Sequence, residues 1–470
     1  MSTRIDEAYS PEAFRTLGHS IVDMLADHLA SSAGETSRTL DYSDPEAEFR
    51  FWQEDFSSGT VKTAEELIKN VIDRTIHLHS PNYMGHQVGV VLPVAAIGSL
   101  TSAILNNGMG VYEMGMAGNA MEKVITNYMA QKIGFGERAG GLITSGGSLG
   151  NLTALLTAIA AMSSKPELRN CAIIIPESAH YSLRKSALAI GIDDANIIQV
   201  PVTGDHKMQT GMLPKYFEQA IQRGLEVVCI VASACSTATG TYDDLVAVGN
   251  FCREKKVWFH VDGAHGLPVM FSPLYRHLIA GVELADSVII DFHKLMMVPS
   301  LSTAVIFKEG KHAYKTFSQH ADYLWLDEEA EEWFNSGKRT FECTKTMGIL
   351  NIYLLFKLYS EDIFRQSVEK VYGLARAFTD LVKADDNFEL ACEPESNIVC
   401  FRYKFPGNTN EGNLEIRQKL LEEGKFYIVQ TTFDEELYLR ISIMNPLTAV
   451  ENLQALLKRI EELAAGIQQI

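Results

Sequence analysis

A lysine and an aspartate each follow an apolar stretch that is typical of a buried strand. Lys294 comes shortly after residues 287–290, and Asp262 comes directly after residues 257–261. Because ligands of open α/β sheets bind at the carboxyl ends of parallel strands, both side chains are expected at one edge of a sheet. Desolvation there lowers the pKa of a lysine, so that its neutral amine can attack an aldehyde and form a Schiff base. A carboxylate can keep a pyridine nitrogen protonated, which makes the ring an electron sink.

Two further features fall at the ends of such stretches. A glycine-rich turn with Gly146, Gly147 and Ser148 joins an apolar stretch to an apolar helix, and the free N–H groups of a helix start suit a phosphate. The turn does not match G-x-G-x-x-G and no Walker lysine follows it, so a nucleotide site is disfavoured. His180 follows the next apolar stretch and places an imidazole at the same edge. Each feature alone usually has a structural role, but together they predict a phosphate site, a stacking ring, a counter-ion and a Schiff-base lysine.

The elements that position these residues alternate between short apolar stretches and helical patterns. This alternation is typical of a parallel sheet with crossover helices, and apolar residues on both strand faces indicate helices on both sides. We therefore predict an α/β fold with a mostly parallel seven-stranded sheet and a smaller C-terminal α/β domain. The predicted strands are residues 141–144, 172–176, 197–201, 227–232, 257–261, 287–290 and 303–307.

We divide the chain into three regions. Residues 1–79 form an N-terminal helical segment, in which a helix capped by Ser10 carries an apolar stripe that packs on its own subunit or on a second one. Residues 80–345 form the large domain. Residues 346–470 form the small domain; its elements include a helix over 344–359, strands over 397–403 and 437–443, and a helix over 449–464.

Composition narrows the class of partner. The chain has 470 residues, 46% of them apolar, and a formal net charge of −18. This charge repels phosphate backbones and anionic lipid heads, so neither a nucleic-acid nor a membrane partner is predicted and a small-molecule ligand is favoured. Seven scattered cysteines without a C-x-x-C pair indicate reduced thiols in the cytoplasm and no metal site. The N-terminus lacks the pattern of a secretory signal.

As a set, the motifs resemble the pyridoxal-phosphate-dependent group II amino acid decarboxylases, which include glutamate, aromatic amino acid and diaminobutyrate decarboxylases. The similarity runs from about residue 80 to the C-terminus. Residues 80–84 resemble the family's His-Pro-x-Phe-Phe stretch, and residues 140–152 resemble its phosphate-binding turn. His180, residues 262–265 and residues 293–294 match its cofactor motifs in order and spacing.

This resemblance implies the fold, the cofactor and the assembly. The fold is the aspartate-aminotransferase type, also called fold type I of the pyridoxal-phosphate enzymes, and the cofactor is pyridoxal 5'-phosphate. The assembly is a homodimer with shared active sites, in which residues 106–116 reach the partner's pocket. The activity is decarboxylation of an amino acid.

The resemblance also implies individual roles. Lys294 holds the cofactor, His180 stacks on its ring, Asp262 pairs with the ring nitrogen and Ala264 packs against the opposite ring face. Gly146, Gly147, Ser148 and His293 hold the phosphate, and Ser233 stands where the family often has a threonine near the cofactor. Arg440 receives the substrate carboxylate. Tyr83 and His86, with their neighbours Met84 and Gln87, meet the substrate side chain, whose acidic, diamino or aromatic character stays open.

One residue departs from the family pattern. Phe334 stands where the family's mobile loop carries the tyrosine that protonates the substrate α-carbon, and no tyrosine occurs between Leu324 and Ile352. A phenyl ring cannot donate a proton. In the first outcome, His320 or a water supplies the proton and the products are the amine and carbon dioxide. In the second, dioxygen intervenes and an aldehyde, ammonia and peroxide are released, as in relatives with phenylalanine at this position.

Three readings compete with decarboxylation. An aminotransferase or a β-eliminating lyase fits the same fold, since fold alone does not determine the reaction. A binding or regulatory relative without activity is the third. Release of carbon dioxide separates the enzymes, and failure to bind the cofactor would favour the third.

Overall fold

The structure is a computed structural model that describes residues 3–34, 38–60, 62–162, 167–317 and 331–467. The chain forms two units. The larger contains residues 87–379 and 392–399, and the smaller contains residues 1–86, 380–391 and 400–470. No helix among the described residues is both long enough and apolar enough to span a bilayer.

The first part of the chain is helical and then alternates between strands and helices. Its elements are α1 (Arg4–Ala8), α2 (Pro11–Ser32), α3 (Pro45–Ser57), α4 (Ala64–Asp73), α5 (Pro93–Leu105), α6 (Tyr112–Ile133), β1 (Gly140–Thr144), α7 (Gly147–Met162), β2 (Cys171–Pro176), α8 (Tyr181–Ile190), β3 (Ile197–Val200), α9 (Leu213–Gln222), β4 (Glu226–Ser233), α10 (Leu245–Lys255), β5 (Trp258–Asp262), β6 (Ser287–Asp291), β7 (Thr303–Phe307) and α11 (Lys311–Phe317). Helix α2 begins as predicted, because the Ser10 side chain accepts a hydrogen bond from the N–H of Ala13 and a proline follows the cap.

The remaining elements are α12 (Ile349–Tyr359), α13 (Asp362–Lys383), β8 (Phe388–Leu390), β9 (Ile398–Tyr403), α14 (Thr409–Glu423), β10 (Val429–Phe433), β11 (Glu436–Ser442) and α15 (Val450–Ile467). Strands β8 to β11 form a separate four-stranded sheet in the order β10-β11-β9-β8. Helix α12 begins later than the predicted residue 344, because the carbonyl of Lys345 accepts a hydrogen bond from the N–H of Met109 instead of continuing a helix.

The larger unit is built on a seven-stranded sheet in the order β1-β7-β6-β5-β4-β2-β3. Strands β1, β2, β4, β5 and β6 are buried along most or all of their length, as the apolar runs predicted. The pairs β2–β3, β2–β4, β4–β5 and β5–β6 are parallel. The residues that follow β2, β4, β5 and β6 therefore meet at one edge of the sheet.

Strand β7 runs opposite to its neighbours β6 and β1, so the sheet is mixed. The link from β6 to β7, residues 292–302, contains no α-helix. A parallel return needs a crossover of a dozen or more residues, so this short link brings the chain back antiparallel. Because β7 is antiparallel to both neighbours, β1 points the same way as β6, and its carboxyl end joins the same edge. The predicted fold class, mostly parallel with a smaller C-terminal domain, is confirmed.

Candidate active site

A cavity of about 240 Å³ lies at this edge of the sheet, within the larger unit. Its walls come from the segments that follow β1, β2, β4, β5 and β6, which is the arrangement the sequence predicts for a ligand of an open α/β sheet. The lining residues are Ser145, Gly146, Gly147, Ser148, Asn151, His180, Ser182, Cys235, Thr237, Asp262, Ala264, His265, Ile289, Asp291, His293, Lys294 and Leu301.

Lys294 forms an ion pair with Asp291, the last residue of the strand that leads to the lysine. Its Nζ lies 2.8 Å from Oδ2 of Asp291, whose side chain is 3% exposed. Burial lowers the pKa of Lys294, but the carboxylates of Asp291 and Asp262 outweigh it, and the net direction is upward. The predicted lowering of the lysine pKa is therefore wrong for the cofactor-free protein, because the prediction considered burial and not Asp291.

Asp262 lies at the end of β5 and is 8% exposed. Its Oδ2 accepts a hydrogen bond from Nδ2 of Asn151 at 3.0 Å, and its Oδ1 accepts the N–H of Ala264 at 3.3 Å. Two N–H donors therefore hold the two oxygens of this carboxylate in place. A buried anion of this kind suits the protonated nitrogen of a heterocycle.

His180 lies immediately before α8 and caps it. Its Nδ1 accepts the N–H of Ser182, whose Oγ lies 2.7 Å from the same nitrogen. Burial lowers the pKa of His180, although the nearby carboxylate of Asp262 opposes this. A neutral imidazole that is hydrogen-bonded at Nδ1 can present the face of its ring to the cavity.

The turn after β1 leaves room for a phosphate. Gly146 has φ +119°, a backbone conformation that residues with a side chain rarely adopt, and α7 begins at Gly147. A Cβ on Gly147 would come within 3.2 Å of the Asp291 carboxylate, so a side chain there would narrow the space. His293 is buried, and its Nδ1 lies 3.0 Å from the carbonyl oxygen of Ser302. The helix start at Gly147 and the His293 side chain suit a phosphate, Lys294 suits an aldehyde and Asp262 suits a ring nitrogen. Together these groups fit pyridoxal phosphate.

Two of the residues predicted as catalytic or cofactor-binding do not line the cavity. Ser233 is buried at the end of β4 and donates its N–H to Oδ2 of Asp243 at 2.8 Å; the segment that follows it supplies Cys235 and Thr237 instead. Phe334 packs edge-on against Tyr112, with 5.6 Å between the ring centroids. His320, the suggested alternative acid, lies outside the described residues.

Four of the predicted substrate residues belong to the smaller unit, namely Tyr83, Met84, His86 and Arg440, and Gln87 belongs to the larger unit. Tyr83 stacks on Tyr427 with 5.6 Å between the centroids, and its hydroxyl donates to the carbonyl oxygen of His86. Burial, with Arg440 and Arg417 nearby, lowers the pKa of His86. Arg440 is 6% exposed. A neutral imidazole and a buried guanidinium thus share one environment.

Asn151 and Asp291 also line the cavity, although the sequence motifs predicted no role for either residue. The signal for Asp291 was present, because it ends an apolar strand just as Asp262 does. Asn151 stands early in α7, where an amide is usually a surface group, and only the folded chain shows it 1% exposed against Asp262. Cys235 and Thr237 carried no signal in the sequence, whereas His265 belongs to the matched motif at residues 262–265, which predicted no role for it.

A family model described as "Pyridoxal-dependent decarboxylase conserved domain" matches residues 58–404. Among curated relatives, an aromatic-L-amino-acid decarboxylase from Bacillus atrophaeus is 24% identical over 465 residues, covering 97% of each chain. An aspartate 1-decarboxylase from Aliivibrio fischeri is 28% identical and covers 86% of this chain and 83% of its own.

Solved structures have the same fold. Mouse CSAD in apo form gives a TM-score of 0.89 at 21% identity, with 97% of this chain and 99% of that chain covered. The 4-hydroxyphenylacetaldehyde synthase of Rhodiola rosea gives 0.87 at 19% identity, with 98% and 99% covered. With the cavity, these matches define a pyridoxal-phosphate-dependent carboxy-lyase of fold type I. The chain belongs to the pyridoxal-dependent decarboxylase family.

Proposed function

We propose that this enzyme converts an L-amino acid into the corresponding amine and carbon dioxide. The observation that carries the proposal is the meeting of Lys294, Asp262 and His180 at one cavity, reached from three separate strands. Pyridoxal phosphate, when bound, supplies the electron sink into which the bond to the carboxylate breaks. Side chains of this protein perform the other tasks of the reaction.

In this proposal each side chain has a separate task. Lys294 would hold the cofactor at its aldehyde group and would yield that position to the substrate amine. Asp262 holds a proton at the ring nitrogen, and its buried carboxylate suits that task. His180 and Ala264 hold the two ring faces. Gly146, Gly147, Ser148 and His293 hold the phosphate.

Arg440 is proposed to bind the substrate carboxylate, as the family resemblance implies. A guanidinium offers a planar pair of donors that matches a carboxylate. Within its own unit, Arg440 lies close enough to His86 and Tyr83 to shift their pKa values, and burial keeps His86 neutral. We propose that Tyr83 and His86 meet the substrate side chain.

An aldehyde product is the second candidate, and Phe334 favours it. Phe334 replaces a proton donor with a phenyl ring, and one of the similar structures is named a 4-hydroxyphenylacetaldehyde synthase. Without a prompt proton at the α-carbon, dioxygen would take two electrons from the substrate and leave as hydrogen peroxide, and water would then release the aldehyde and ammonia. We rank the amine product first, because the relatives that match over most of the chain are named decarboxylases.

We also propose a cytoplasmic homodimer with shared active sites. All seven cysteines are free, which suits a reducing compartment. Exposed apolar side chains cluster along α5 and the start of α6, at Ile97, Leu100, Ile104, Tyr112 and Met116. Exposed apolar side chains of this kind mark a protein interface, and Tyr112 and Met116 belong to the region predicted to reach the partner's pocket.

The test is an amino acid panel assayed in parallel for carbon dioxide, amine, aldehyde and peroxide, with and without oxygen. The panel includes aromatic, acidic and diamino substrates. The proposal expects carbon dioxide and amine in equal amounts, independent of oxygen. Carbon dioxide with aldehyde and peroxide would assign the second candidate, and turnover without carbon dioxide would contradict both.

A further inference from the structure

A buried asparagine connects two of the side chains proposed to contact the cofactor. Asn151 lies early in α7 and is 1% exposed. Its Nδ2 donates one hydrogen bond to Oδ2 of Asp262 at 3.0 Å and another to Oγ of Ser182 at 2.9 Å. Because Oγ of Ser182 lies 2.7 Å from Nδ1 of His180, a single amide is linked to the carboxylate and to the imidazole.

The oxygen of the same amide is held from behind by His260. Nε2 of His260 lies 3.0 Å from Oδ1 of Asn151, and Nδ1 lies 2.9 Å from Oγ of Ser287. Ser287 accepts a hydrogen bond from Nε1 of Trp258 at 2.8 Å, so its own hydroxyl hydrogen is free for Nδ1 of His260. The neutral imidazole of His260 then carries its proton on Nε2 and donates it to the amide.

Each hydrogen bond in this chain has a direction that its donors and acceptors determine. Trp258 donates to Ser287, Ser287 to His260, His260 to Asn151, and Asn151 to Asp262 and Ser182. A reversed amide would place its oxygen against the Asp262 carboxylate, where two acceptors repel. In a buried network each bond depends on the others, so the loss of one bond weakens the whole chain.

We propose that Asn151 and His260 are positioning residues of this enzyme. Through this chain of hydrogen bonds they hold the Asp262 carboxylate in position for the ring nitrogen and fix the orientation of His180. The inference rests on the proposed roles of Asp262 and His180 as cofactor contacts. Neither Asn151 nor His260 is given any chemical step.

The test measures cofactor binding, not turnover. The variants are Asn151→Ala, His260→Leu, both together, and His260→Gln, whose amide can donate from near the position of Nε2. Asn351→Ala is the matched control, because Asn351 is a buried amide on α12 that bonds Ser99. Each cofactor-free protein is titrated with pyridoxal phosphate by fluorescence, and the bound form is examined by visible circular dichroism. Thermal unfolding of the cofactor-free proteins reports folding.

Asn151→Ala is expected to weaken cofactor binding about ten- to hundredfold, the loss of a hydrogen bond to a charged group, and to reduce the visible dichroism. His260→Leu is also expected to weaken cofactor binding, whereas His260→Gln is expected to bind the cofactor nearly as tightly as the wild-type protein. The double variant binds no more weakly than Asn151→Ala, because both residues act through one chain of bonds.

Wild-type binding and dichroism in Asn151→Ala, or a loss no larger than in Asn351→Ala, would overturn the inference. Equal losses in His260→Leu and His260→Gln would also overturn it, and this comparison decides the matter if Asn151→Ala does not fold. Failure of the wild-type protein to bind pyridoxal phosphate would instead refute the proposed function.

Discussion

Nζ of Lys294 lies 2.8 Å from Oδ2 of Asp291, the residue that ends the strand leading to the lysine. Asp291 is fixed from the other side, because it also accepts a hydrogen bond from the hydroxyl of Thr303 on β7. In the cofactor-free protein this carboxylate keeps the lysine charged, and a charged amine cannot attack an aldehyde. Cofactor loading therefore requires Lys294 to lose a proton that Asp291 helps to retain.

Asp291→Asn is expected to speed the rebinding of pyridoxal phosphate to cofactor-free enzyme. Removing the negative charge lowers the pKa of Lys294, so more of the amine is neutral at pH 7. A fall of one unit gives about tenfold faster loading and moves the rise of the pH–rate profile to lower pH. The rate is followed by the visible absorbance of the bound cofactor. Asp286→Asn, just before the opposite end of the same strand, is the control, and an unchanged profile in Asp291→Asn would refute this role.

Phe334→Tyr is expected to accelerate amine formation by about tenfold, because it restores a phenol where the family has its proton donor. The gain is modest since the new hydroxyl is not tuned to the site. Amine release is measured under air and under nitrogen. Trp333→Tyr places a phenol one residue away and is expected to change little. Peroxide production by the wild-type enzyme that disappears in Phe334→Tyr would favour the aldehyde reaction instead.

A buried ion pair gives a prediction for stability. Nζ of Lys345 lies 2.8 Å from Oε2 of Glu122, whose side chain is 1% exposed. Glu122→Ala leaves an unpaired buried cation and is expected to lower the free energy of unfolding by about 3–5 kcal/mol. The double variant Glu122→Met with Lys345→Met recovers most of this, as measured by urea unfolding. Asp73→Ala, which breaks the exposed pair with Lys69, is the control and costs less than about 1 kcal/mol.

That prediction fails if Glu122→Ala unfolds at the same urea concentration as the wild-type protein, or if the double variant is less stable than the single one. Either result would mean that the pair does not hold α6 to the segment before α12.

His260 gives a prediction for acid pH. Burial lowers the pKa of His260, so the folded protein keeps this imidazole neutral while the unfolded chain takes up a proton near pH 6.5. The stability that His260 contributes is thus fully present above about pH 6.5 and is lost as pH falls below it, by up to about 1.4 kcal/mol per pH unit. His260→Gln is expected to show a shallower loss between pH 7 and pH 5 than wild type in urea unfolding. Equal slopes would contradict it; the exposed His19→Gln is the control.

The sequence predicted the sheet well because its strands are apolar on both faces, and that pattern needs no knowledge of the rest of the chain. It also predicted the cavity residues that follow strands, such as Asp262 and Lys294. The direction of β7 was readable from the short link before it. The pKa of Lys294 was not, because it depends on Asp291, whose side chain is oriented by Thr303 across the β6–β7 pairing.

Contacts between distant parts of the chain explain why other features of the site could not be predicted from the sequence. Asn151 and Asp262 are far apart in sequence, so nothing local marks the amide as a partner of the carboxylate. Ser233 stands where the family often has a threonine, but the residues near it that line the cavity are Cys235 and Thr237. Such side-chain choices follow from packing, which a pattern of residue types does not contain.

The most direct test of the account is the identity of the lysine that binds the cofactor. The enzyme is loaded with pyridoxal phosphate, reduced with borohydride, digested and examined by peptide mass spectrometry. The account predicts a phosphopyridoxyl group on Lys294 and on no other lysine, and none in Lys294→Ala. A modified lysine elsewhere, or a wild-type protein with no modification, would contradict it.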